Sequence, residues 1–95
     1  MTDQQQSPQL DALRVLNDLV STARTRGLVA KELGHTKAAF ALLSIARDLD
    51  AARTCLVQEG ESYLEAAWAF IDTGRKLITR WLLAVNLGWS AHDHA

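Results

Sequence analysis

The residues of this 95-residue chain with the chemistry to build a site are three histidines, one cysteine, a cluster of glutamates and scattered cations. His92 and His94, in the tail HDH, offer two imidazoles. A metal centre takes three or four ligands on rigid elements, so a solvated tail is the expectation there. His35, between Gly34 and Thr36, reads as a turn residue. Cys55 has no second cysteine to pair with and no catalytic partner near it in sequence, which predicts a buried, inert thiol. Glu59, Glu61 and Glu65 gather around a helix start, where negative charge suits the dipole. The chain carries no glycine-rich phosphate loop, zinc spacing or nucleophile motif. The reading is a protein that is not an enzyme, with no catalytic residue, no metal and no cofactor.

Elements that could position these residues are helical. The composition is 48% hydrophobic and 22% charged, which is globular, and the abundance of alanine and leucine favours helix over sheet. Net charge is -1 with a pI near 6.3, so there is no global attraction to nucleic acid or acidic lipid. The start MTDQQQSPQ has neither a basic opening nor an apolar core, and WLLAVNLGW is far short of the ~20 residues that span a bilayer. A cytoplasmic protein with no membrane partner is expected.

Ser7 followed by Pro8 reads as a helix start. Leu10, Leu13, Leu16, Val20 and Ala23 then recur at helical spacing. Gly27 leaves two options open: an end near Arg24 with a new helix from Thr25, or one helix through to Leu33. Gly34 supplies the break and Thr36 the cap of the next helix, which stops at Gly60. SYLE, from Ser62 to Glu65, is a capping box that opens a last helix from Tyr63 to Leu87, closed by Gly88. A rival reading makes TCLVQEGESYL a β-hairpin turning at Glu59-Gly60. The predicted fold is all-α: a small three- to four-helix bundle with a long C-terminal helix. It forms one domain over residues 1–95, frayed at 1–6 and 90–95.

The stretch TRGLVAKELGHTKAAFALL resembles the helix-turn-helix segment of bacterial DNA-binding regulators. Val29-Ala30 and Leu33 match the first helix of that motif, Gly34 its turn, Thr36 its cap, and Phe40 with Leu43 its apolar anchor pair. The resemblance covers about residues 10–49. It implies that Phe40 and Leu43 bury the crossing over a small Ala30, and that Lys37, Ala38, Ala41, Ser44 and Ile45 face the major groove. Duplex DNA would be held by Arg24, Arg26, Lys31, Thr36, Lys37 and Ser44, phosphate contacts above all. From Arg14 to Arg53, seven Lys/Arg stand against four Asp/Glu, a local balance of +3. No Arg, Asn or Gln occupies a groove-facing position to make a bidentate base contact. A helical hairpin packed closely through small residues explains Ala30, Gly34 and Ala39 equally well. LDALR and VAKELGHTK are also similar to small helical chorismate mutases, implying Arg14, Arg26 and Lys37 as substrate cations. The Arg-Glu pair of that family is Ala51-Ala52 here.

In KLITRWLLAVNLGW the large residues wrap most of the way round a helix. One surface helix needs a single apolar stripe. The excess predicts a homodimer interface of Leu77, Ile78, Trp81, Leu82, Val85 and Trp89. Two functions follow: a small dimeric helix-turn-helix regulator of transcription, or a helical protein-interaction module (adaptor, inhibitor or regulatory subunit) without nucleic acid.

Overall fold

The computed structural model describes residues 7–86, which hold helix and turn and no strand. The expected frayed ends, with Trp89, His92 and His94, lie outside the described residues. Helix α1 spans Pro8–Glu32, α2 spans Thr36–Glu59, and α3 spans Leu64–Asn86, with one 3-10 turn, Gly60–Tyr63, between the last two. The all-α class is observed. TCLVQEGESYL is helical throughout, so the hairpin alternative is set aside. Within the described residues α3 holds 23 residues, and its expected end at Leu87 and Gly88 lies outside them.

Ser7 caps α1 as expected, accepting from the Leu10 amide at 3.4 Å, and Pro8 occupies the first turn. Between the two options at Gly27, the chain takes the unbroken helix. A Cβ at that position would lie 2.8 Å from Leu43 Cγ and 3.3 Å from Leu42 Cβ. Glycine therefore marks where α2 comes closest, and that packing outweighs a helix-propensity cost of ~1 kcal/mol.

Gly34 ends α1 at φ +85. The Gly34 amide donates to Lys31 O at 3.1 Å and the His35 amide to Ala30 O at 2.9 Å, the paired bonds of a Schellman motif. The next cap is displaced by one residue from the expectation. His35, not Thr36, occupies the N-cap of α2 and makes no side-chain capping bond. Thr36 is already helical, and its hydroxyl donates to Gly34 O at 3.5 Å. The Schellman turn causes the shift, since it consumes the His35 amide and delivers the chain to Thr36 in helical conformation.

Gly60 stops α2 as expected, at φ +66. The capping box does not form. Ser62 lies within the 3-10 turn and donates backward to Glu59 O at 3.0 Å, while the Leu64 amide bonds Glu61 O. A 3-10 turn running directly into α3 satisfies the amide that a serine cap would otherwise serve.

The helices alternate in direction. Gly60 approaches the Gln9 side chain at the far end from the Gly27–Leu43 contact, so α2 returns antiparallel along α1. A Cβ at Gly74 would meet Leu49 Cδ2 at 2.9 Å, and Trp81 and Val85 reach Ala38 and Ala39, so α3 returns along α2. Leu16, Leu42, Leu49, Leu56 and Ile71 fill the centre, and Ala12, Ala23, Ala46, Ala52 and Ala67 let the helices close on them. A second cluster of Ala30, Ala38 and Ala39 lies under Trp81 and Val85 at the α1–α2 turn.

Candidate interaction face

The paired helices do not place side chains as the helix-turn-helix resemblance implies. In that motif the second helix crosses the first at roughly 90–120°. Here it runs back along it. Phe40, expected to bury the crossing, is 75% exposed, and Leu33 is 64% exposed. Ala38 and Ile45, expected in the major groove, are in the core. Only Ala30 and the half-buried Leu43 sit inward as the motif requires. The physical reason is the third helix: α3 claims the Ala38–Ile45–Leu49 side of α2 and turns Phe40 away.

The predicted phosphate contacts fall on different flanks. Arg24, Arg26, Lys31, Thr36 and Lys37 are exposed, and Ser44 is half-buried. Arg24 and Arg26 are two residues apart, roughly 200° round a helix of 3.6 residues per turn. Arg24 lines a groove of about 310 Å³ between α1 and α2, opposite Asp50 and Arg53. There the Arg53 guanidinium donates twice to Asp50 Oδ1, at 2.7 and 3.0 Å. Arg26 points off the other edge of α1.

A different grouping emerges around Phe40. It stands about half a turn from Leu42 and Leu49, hence on the outward midline of α2. Its helical neighbours at three, four and seven positions are Thr36, Lys37, Leu43, Ser44 and Arg47, which include two cations and no carboxylate. On α1, Arg24, Leu28 and Lys31 follow one exposed stripe at i, i+4 and i+7, with Leu28 51% exposed. Leu43, against Gly27, joins the two stripes. The result is an apolar centre with basic flanks, assembled from two helices.

The expected dimer residues are engaged within the chain. Ile78 is in the core with Leu77, Trp81 and Leu82 half-buried against it, and Val85 is half-buried against Ala30, Ala38 and Ala39. Trp68, Phe70 and Leu83 are the large side chains of α3 that stay exposed. Cys55 is half-buried and has a neighbour that sequence distance concealed, Tyr63. Burial, then the Cys55 thiol and the Glu59 carboxylate, hold the Tyr63 phenol above its ordinary value. Among the described residues no three His, Cys, Asp or Glu gather to hold a metal ion, and no helix is long and apolar enough to cross a membrane.

No protein-family model, curated protein or solved structure matches the chain.

Proposed function

We propose that this chain is a helical protein-interaction module, an antiparallel bundle of three helices. Its ligand face is the outward surface of α1 and α2 around Phe40. One observation carries the reading: a phenylalanine 75% exposed on the face of α2 opposite the core, where folding gains nothing from it. An exposed aromatic ringed by polar residues is the form of an interface anchor. Arg24, Lys31, Lys37 and Arg47 around it fit an amphipathic helix with an apolar centre and carboxylate flanks. The duplex-reading alternative needs Arg24, Arg26, Lys31 and Lys37 on one face, and the divergence of Arg24 from Arg26 favours the protein ligand.

The test uses a synthetic helical peptide with leucine and phenylalanine on one face and glutamate beside them. Binding is expected by calorimetry, weakened about tenfold or more by Phe40→Ala. The same variant should keep its thermal stability to within about 0.5 kcal/mol, because the ring is exposed. Unchanged binding by Phe40→Ala would sink the proposal. So would parent protein that ignores the peptide and instead shifts duplex DNA at ~50 mM salt, with Lys37→Glu abolishing the shift.

A further inference from the structure

The groove of about 310 Å³ between α1 and α2 is lined by polar side chains except at its floor, Val20. From α1 come Asn17, Ser21, Arg24 and Thr25, an exposed stripe at i, i+4, i+7 and i+8. Asp50 and Arg53 form the facing wall on α2. The contacts of Gly27 with Leu43 and of Gly60 with Gln9 set the antiparallel register, which brings Val20 level with Asp50 and Asn17 level with Arg53. Side chains lean toward the N-terminus of their own helix, so Arg24 leans back toward Val20. Arg53 leans back too, onto Asp50. The two guanidiniums therefore converge on the middle of the groove from opposite walls.

Donors outnumber acceptors there. Asp50 Oδ1 accepts from Arg53 Nε and Nη2, which fixes that guanidinium and leaves three of its five N–H donors unspent. Arg24 brings a second full fork, and among the described residues no hydrogen bond or ion pair engages it. Asn17 adds a carboxamide, and Ser21 and Thr25 add hydroxyls. The one carboxylate of the lining, Asp50, is committed to Arg53. One turn beyond the lining stand Arg14, Arg47 and a second carboxylate, Asp18, while Asp48 faces the α3 side of α2. Two guanidiniums converging on one groove repel each other, and an acceptor-rich dianion between them relieves both. Asn17 and Thr25 lie eight residues apart, ~12 Å along α1, farther than one phosphoryl group extends.

We propose that this groove binds a small polyhydroxylated phosphate monoester, of the sugar-phosphate class. Arg24, Arg53 and Ser21 hold the phosphoryl oxygens over Val20. Asn17, Thr25 and the second oxygen of Asp50 bond the hydroxyls of the remainder. Only Arg24 is shared with the Phe40 face, and the inference does not rest on that reading.

Calorimetry on the full chain with glucose 6-phosphate tests it, at a fixed ionic strength of ~0.1 M so that screening is constant. The expected dissociation constant is about 1 mM or tighter. Inorganic phosphate should bind about fivefold more weakly or worse, and glucose should not bind. Arg24→Gln and Arg53→Gln should each weaken glucose 6-phosphate about tenfold or more, with helical circular dichroism unchanged. Arg24 is exposed, so its variant decides the matter should loss of the Arg53–Asp50 pair disturb the fold. Arg53→Lys keeps the charge but not the fork, and should weaken binding about fivefold. Arg14→Gln removes the same charge one turn away and should stay within about twofold of the parent. No binding at ~10 mM overturns the inference. So does equal weakening by Arg14→Gln, the mark of a diffuse attraction, or an Arg53→Lys variant that binds like the parent. Equal affinity for inorganic phosphate and glucose 6-phosphate would show an adventitious anion surface and overturn it as well.

Discussion

At Gly74 a Cβ would lie 2.9 and 3.1 Å from the two methyls of Leu49, a side chain 2% exposed. Alanine there gains ~1 kcal/mol of helix propensity and forces the α2–α3 contact apart, at a cost of about 1–3 kcal/mol. Gly74→Ala should therefore lower stability in urea despite being the better helix former. A stabilised variant would show that α3 does not sit this close. In sequence Gly74 reads only as a weak helix former, because a missing side chain does not announce what fills its place. Phe40 carries the same lesson in reverse. The helix-turn-helix resemblance implied an anchor pair with Leu43, but identity and spacing do not say which arc of a helix its neighbours will occupy.

For elements, local chemistry decided the ends and packing decided the continuity. Ser7, Gly34 and Gly60 act where the sequence places them, since a cap or a positive φ is a property of one or two residues. The Thr36 cap failed because the Schellman turn delivers the chain to Thr36 already helical, and the Ser62 cap because the 3-10 turn had already satisfied the Leu64 amide. One consequence is an uncapped α2: His35 gives its N-terminus no side-chain acceptor, and the first turn holds no acidic residue. The imidazole Nδ1 is also buried without a hydrogen-bond partner. His35→Asp should raise stability by about 0.5–2 kcal/mol at neutral pH, read from the denaturant midpoint, by offering the first turn a side-chain acceptor and complementing the dipole. A fall in the midpoint would mean that the packing of the imidazole outweighs the missing cap.

Across the whole molecule, Trp81 touches both apolar clusters, the long central one and the small one under the α1–α2 turn. It reads from the sequence as an interface anchor because α3 has more large residues than one stripe needs. Three close-packed, alanine-rich helices leave gaps that long side chains must bridge from the rim, and Trp81 does this within one chain. Trp81→Ala should cost about 2–4 kcal/mol of folding stability, somewhat below the full penalty for a buried tryptophan. Unchanged stability in the variant would show that the Trp81 ring does not hold the two clusters together.

The sequence by itself determined the all-α class, the breaks at Gly34 and Gly60, and the alanine-rich faces, because these follow from backbone freedom and 3.6-residue periodicity. The tertiary structure alone decided that α1 passes unbroken through Gly27, that Ala38 and Ile45 face inward, and that Phe40 and Phe70 are left outside. Those outcomes depend on where α2 lies against α1 and where α3 lies against α2. That placement is set by side chains far apart in the chain meeting at Gly27–Leu43 and Gly74–Leu49, contacts that no local pattern encodes.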